Sequence, residues 1–166
     1  MILLIHDLKD LGEDIVLKNT QGGLAIVSDN GKIRPCICCF DCWIKTPAQC
    51  IAHDNYDNIG ELFSKSEEVI IISRCFYGSY SPSIHSVLDR GISYLLPFFK
   101  TEKNNETHHF NRYDNHFILS AHFYGKTTEK EKETAKKLIK ANGTNLFARE
   151  TRVHFYETSE EILETL

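Results

Sequence analysis

At 166 residues, with 42% hydrophobic, 25% charged and 11% aromatic side chains, the chain has the composition of an ordinary globular domain and enough length to close one core. A single domain over residues 1–166 is expected. The net charge of -4, from 23 acidic and 19 basic side chains, argues against a nucleic-acid partner, which needs a basic face to neutralise phosphates. The longest apolar runs, Met1–Ile5 and Val69–Ile72, are too short to cross a bilayer. The polar turn at His6 and Asp7 does not read as an export signal, so a cytoplasmic chain without a membrane partner is expected.

The elements follow in order. Ile2–Ile5 is a strand-length apolar run. The segment from Leu8 to Gly23 carries only a patchy stripe (Leu8, Leu11, Ile15) broken by glycines, which predicts a first crossover helix that is short or missing. Leu24–Val27 is a second strand, followed by the turn-forming pair Asn30 and Gly31. Asn58 can cap a short helix bearing Ile59, Leu62 and Phe63, and Val69–Ile72 is a third strand. Ser81 and Pro82 start a helix whose stripe of Ile84, Val87, Leu88, Ile92 and Leu95 runs to Leu96, where Pro97 stops it.

A polar connection over 101–115 leads to a strand at Phe117–Leu119. Thr128 and Glu131 then form a capping box for a helix that Gly143 is suited to end. Arg152–Phe155 is the fifth strand, and Thr158 with Glu161 repeats the box before Ile162, Leu163 and Leu166. Strands apolar on both faces that alternate with helices predict an α/β fold. We expect a flavodoxin-like three-layer sandwich around a five-stranded parallel sheet in the order 2-1-3-4-5, its ligands beyond the carboxyl ends of the strands.

Five of the six cysteines, Cys36, Cys38, Cys39, Cys42 and Cys50, fall within fifteen residues, and Cys75 follows strand three. The spacing of Cys36, Cys39, Cys42 and Cys50 is C-x2-C-x2-C-x7-C. It suits an iron–sulfur centre first, tetrahedral zinc second, or a reduced loop in which the thiols pack as small apolar groups. His6, His122 and His154 stand near strand ends without a metal-binding spacing and are left unassigned.

Cys36, Cys39, Phe40, Cys42, Trp43, Lys45, Thr46, Pro47 and Cys50 resemble the C-x-G-C-F-x-C-W-x-K-T-P-G-x-C segment of flavodoxin-like NADPH-dependent FMN reductases and iron–sulfur flavoproteins. Ser73–Pro82 resembles the same family's T-P-x-Y-Y-G-x-x-S-P, and Asp89-Arg90 its following D-R. The likeness spans residues 24–125. Cys38 and Ala48 stand where the family has glycine, Arg74 where it has proline, and His6-Asp7-Leu8-Lys9-Asp10 where it has a phosphate loop of Ser, Thr and Gly.

The resemblance implies an FMN-dependent oxidoreductase that takes reducing equivalents from NAD(P)H and passes them to a small-molecule redox substrate. Its flavin ring would lie against Arg74, Cys75, Phe76, Tyr77, Gly78 and Ser79, where two aromatic faces and a close-approaching backbone suit it. Trp43 would cover a ring face, and the phosphate would sit near His6, Asp7 and Leu8. A cluster on Cys36, Cys39, Cys42 and Cys50 would stand beside the ring. The alternative is a flavin-free relative whose cysteine loop binds a metal, an iron–sulfur centre or a partner. The apolar stripe of the 82–99 segment, extended by Tyr94, Phe98 and Phe99, leads us to expect a homodimer.

Overall fold

The computed structural model describes residues 1–8, 22–28, 31–101 and 106–166. The expected first crossover, together with Lys9, Asp10 and Asn30, lies outside them. The strands are β1 (Ile2–His6), β2 (Leu24–Ser28), β3 (Glu68–Arg74), β4 (Leu95–Thr101), β5 (Thr107–Asn111), β6 (Ile118–Tyr124) and β7 (Glu150–Tyr156). The helices are α1 (Asp41–Ile44), α2 (Ile59–Lys65), α3 (Pro82–Arg90), α4 (Glu129–Asn145) and α5 (Glu160–Thr165).

β1, β2, β3, β6 and β7 form one parallel sheet in the order β2-β1-β3-β6-β7. Its central strands are apolar on both faces because both faces are covered. Leu3, Ile5, Val69, Ile71, Leu119, Ala121 and Phe123 pack against Ile59 and Phe63 of α2, Ile84 and Val87 of α3, and Ala135 and Ile139 of α4. On the opposite face Leu4, Ile70 and Ile72 meet Leu8 and Ile162 of α5. A single core therefore runs along each side of β3.

The capping box of α4 is made as its sequence demands. Glu131 donates its backbone N–H to Thr128 Oγ1, and the Thr128 backbone N–H donates to Glu131 Oε2 at 2.8 Å. α3 begins at Pro82, with Ser81 in extended conformation before it. Gly143 departs from expectation: it lies inside α4 and is buried, because a Cβ there would run into Thr151 of β7. α5 is led by Ser159, not Thr158, and Glu161 instead accepts the Glu157 N–H at 3.1 Å.

The larger departure is the segment expected as one helix to Leu96. α3 ends at Arg90, a 3₁₀ turn over Gly91–Tyr94 follows, and Leu95 begins β4, which pairs antiparallel with β5 in a separate two-stranded sheet. Gly91 lets this turn press on α2, since a Cβ there would come within 2.5 Å of Phe63 Cε2. Leu95-Leu96 and Phe98-Phe99 favour a pleated strand once the helix has ended. Pro97, which has no N–H for a ladder, stands in the irregularity between the Leu95 and Phe99 pairings. Tyr94 is fully buried, while Phe98 and Phe99 are exposed on β4. The apolar face anticipated on a helix is therefore on a hairpin.

Candidate active site

Two hollows open at opposite ends of α3. The first is a cleft of about 930 Å³ beyond the carboxyl ends of β1, β3 and β6, lined by Asp7, Leu8, Arg74, Phe76, Tyr124 and, at the start of α3, Ser81–Ser83. Ser159, Glu160 and Leu163 of the α5 end close its far side. The second is a cavity of about 620 Å³ between the cysteine loop and the carboxyl end of α3.

Asp7 organises the cleft. Its carboxylate accepts the Arg74 backbone N–H at 3.0 Å and the Tyr124 hydroxyl at 3.0 Å, which ties β1 to β3 and β6. Ser73 Oγ donates to it at 3.4 Å and accepts the Ser81 N–H at 2.8 Å, so the start of α3 is fixed to the same point. Burial, and then the Asp7 charge, push the Tyr124 phenol upward and keep it a proton donor. The Arg74 guanidinium lies 5.5 Å from the centre of the Phe76 ring and has no carboxylate partner among the described residues.

Of the residues expected around a flavin ring, only Arg74 and Phe76 face this cleft. Tyr77 and Gly78 both have positive φ, 51° and 79°, and make a tight turn closed by paired hydrogen bonds between Phe76 and Ser79. That turn uses the Phe76 and Ser79 amides itself. Gly78 approaches α4 and not the cleft, since a Cβ would meet the Glu131 carbonyl oxygen at 2.7 Å. Tyr77 is exposed, Ser79 bonds His85, and Cys75 is partly buried against the core.

His6 is buried, and its Nδ1 accepts the Leu8 N–H at 3.3 Å. Burial lowers its pKa, which leaves a neutral ring and not a cation for a phosphate. Trp43 stands away from the cleft. It stacks on Phe40 and donates its indole N–H to the carbonyls of Leu95 at 2.9 Å and Ile92 at 3.2 Å, pinning the cysteine loop to the 3₁₀ turn.

Cys36, Cys38, Cys39, Cys42 and Cys50 line the second cavity, and none of them lines the cleft. On α3 the two linings are separated by the five-residue step from Ser83 to Leu88, roughly 7.5 Å at 1.5 Å per residue. The four cysteines expected to hold a centre beside the ring thus line a different hollow from the cleft. Among the described residues no group of three or more His, Cys, Asp or Glu side chains is placed to hold a metal ion. All six cysteines are free thiols, and burial pushes Cys36, Cys42 and Cys75 upward.

The loop keeps a backbone that its sequence disguises. Cys38 and Ala48, where the resembling motif has glycine, have φ of 53° and 73°. Both occupy the left-handed region that glycine enters without cost. Sequence reasoning missed the ion pair that underlies this loop: Arg90 donates through Nη1 to Asp54 Oδ2 at 2.6 Å, with no exposed side-chain surface on the arginine. The Asp89-Arg90 pair was the available signal. Tyr124, Ser159 and Glu160 were missed because strand and helix ends from distant parts of the chain bring them together.

No family model matches the sequence, and no curated protein matches it. The chain is similar to the crystal structure of an FMN-dependent NADH-azoreductase from Bacillus anthracis in complex with FMN, with a TM-score of 0.54 and 11% identity. The match covers 98% of this chain and 92% of that one. The two share a fold. This chain has the flavodoxin-like α/β arrangement, and its cleft lies where such sheets bind ligands.

The described lining fits a flavin ring better than it fits a phosphate at the end of β1. Phe76 offers an aromatic face and Arg74 a cation, while Ser81, Ser83 and Ser159 offer hydroxyl groups. The Asp7 carboxylate already takes the Arg74 amide and would repel a phosphate set beside it.

Proposed function

We propose that the chain is an FMN-dependent oxidoreductase that takes reducing equivalents from NAD(P)H and delivers them to a small-molecule acceptor. The observation that carries this reading is the cleft at the carboxyl edge of β1, β3 and β6, in a fold shared with an FMN-dependent azoreductase. The left-handed backbone at Cys38 and Ala48 supports it, because it is what the glycines of the resembling family would provide.

FMN, when bound, supplies the two-electron chemistry. The chain's own residues position it. Phe76 would pack the ring. The hydroxyls of Ser81 and Ser83 at the start of α3, together with Arg74, would hold the phosphate end, since the β1 end is held by Asp7. Tyr124 keeps its proton and hydrogen-bonds Asp7, which fixes that wall of the cleft. Equilibrium dialysis tests this assignment: Arg74→Ala should weaken FMN binding about tenfold, the effect of losing one charge-assisted contact. Equal FMN affinity in Arg74→Ala and the parent would move the cofactor elsewhere.

A second reading has one specific observation behind it. The Asp7 carboxylate, bonded to the Arg74 N–H and the Tyr124 hydroxyl, occupies the end of β1 as a built-in anion. A flavin-free relative would need such a plug. Comparing FMN with riboflavin separates the two, because a plug that repels only the phosphate leaves riboflavin binding intact. A homodimer remains part of the proposal, through Phe98 and Phe99 of the hairpin, and light scattering tests it.

A further inference from the structure

The cavity under the cysteine loop is independent of the flavin reading. Its wall is mostly apolar, from Ile37, Ile51, Ala52, Leu88, Ile92 and Leu95, and the five loop cysteines and Arg90 line it too. The guanidinium is satisfied on one side only. Nη1 bonds Asp54 and, at 3.4 Å, the Arg34 carbonyl, whereas Nε and Nη2 are buried without a hydrogen-bond partner. A buried donor left unpaired costs about 1–3 kcal/mol, so an arrangement that leaves two of them calls for an acceptor. Cys50 lines the same cavity as Arg90, and its thiol is among the groups that act on the guanidinium.

Cys42 stands next in line. It is nearly buried, and the thiol whose charge acts on it most strongly is Cys50, ahead of Cys36 and Cys39. The Ala48 N–H donates to the Cys42 carbonyl at 2.9 Å, folding the chain so that position 50 returns toward position 42. The loop that does this holds Cys38, Phe40, Ala48 and His53 at positive φ, four of the six non-glycine residues so placed among the described residues. Backbone strain of that density collects where a segment is over-determined for a task.

We propose that Cys50 and Cys42 form a redox-active dithiol that reduces small, neutral disulfides entering this cavity. The Cys50 sulfur, its proton lost to solvent, attacks one sulfur of RSSR. The R–S–S–R bond breaks, Cys50–S–SR forms, and RS⁻ leaves and takes up a proton. The Cys42 sulfur then gives up its proton and attacks Cys50, forming the Cys42–Cys50 bond and releasing the second RSH. Two electrons pass from the dithiol to RSSR, and two RSH appear. The negative charge that develops on Cys50 faces the Arg90 guanidinium, whose pair with Asp54 adds no net charge of its own. The single net negative charge disfavours an anionic disulfide, and the apolar wall favours an uncharged one.

The experiment uses the full chain, reduced and desalted without oxygen, with 2-hydroxyethyl disulfide as probe. Acid quench, alkylation and peptide mapping should find one internal disulfide, Cys42 to Cys50, with two equivalents of 2-mercaptoethanol released. Cys42→Ser should stop at a mixed disulfide on Cys50 with one equivalent released, and Cys50→Ser should react at least about tenfold more slowly. Arg90→Lys, which keeps the charge but not the fork of donors, should slow the first step with the fold intact by circular dichroism. A bond between Cys36 and Cys38, labelling spread over all the loop thiols, or unchanged rates in Cys50→Ser or Arg90→Lys would overturn the proposal.

Discussion

The Asp7 carboxylate takes the backbone N–H of Arg74 at 3.0 Å, joining the carboxyl ends of neighbouring strands β1 and β3. One side chain thereby does what a bound anion would do at that edge. It also sets how a phosphorylated ligand is received, because a carboxylate and a phosphate at the same amide repel.

Asp7→Asn tests this directly. The amide oxygen can still accept from Arg74 and Tyr124, so the fold should survive, while the charge is gone. FMN should bind about tenfold more tightly, about 1.4 kcal/mol, and riboflavin with unchanged affinity. Equal effects on the two ligands would show that Asp7 is not near the phosphate.

Most of the sheet was legible in the sequence, because Val69–Ile72, Ile2–Ile5 and Phe117–Leu119 are apolar on both alternating faces. The hairpin was not. Its first strand continues a helical stripe through Ile92 and Leu95 without a break in periodicity, and the break comes from Gly91 pressed on Phe63, a tertiary contact. The cysteine cluster was legible as a loop. Its separation from the cleft was not, because spacing cannot tell at which end of α3 a loop docks, and Trp43 and Arg90 decide that. The turn at Gly78 misled for a related reason: glycine marked a close backbone approach, but the neighbour is α4.

Gly60 lies inside α2, where alanine would ordinarily gain about 1 kcal/mol of helix propensity. Here a Cβ would collide with Ser93 and stand 2.8 Å from the Tyr94 nitrogen. Gly60→Ala should therefore destabilise the protein by about 1–3 kcal/mol, the cost of overpacking. Urea unfolding gives the number, and a more stable variant would contradict the close packing of α2 on the 3₁₀ turn.

Ala48 presents the opposite case. At φ 73° an L side chain costs roughly 1–2 kcal/mol, which glycine avoids while adding some unfolded-state entropy. Ala48→Gly should stabilise by about 0.5–1 kcal/mol in the same assay. A loss of stability would mean that the Ala48 methyl makes a contact worth more than the strain.

His122 is buried beside His154, and burial first, then its neighbour, lower its pKa to about 4. The native state thus prefers the neutral ring, and the unfolded chain binds the proton more readily. The stability this gives is complete above the unfolded pKa of about 6.5 and is lost as pH falls from there toward 4. His6, lowered by burial, acts in the same direction. Urea midpoints at pH 7 and pH 5 should differ less in His122→Gln than in the parent. An identical pH dependence would remove His122 from the account.

The most direct test of the central reading is a titration of FMN into the purified, metal-free chain, followed by flavin fluorescence and visible absorbance, with NADH or NADPH then added without oxygen. The account predicts saturable quenching at one FMN per chain, weakened in Arg74→Ala, and bleaching of the flavin band by the nicotinamide. Unquenched fluorescence with FMN in excess, for FMN and riboflavin alike, would contradict it.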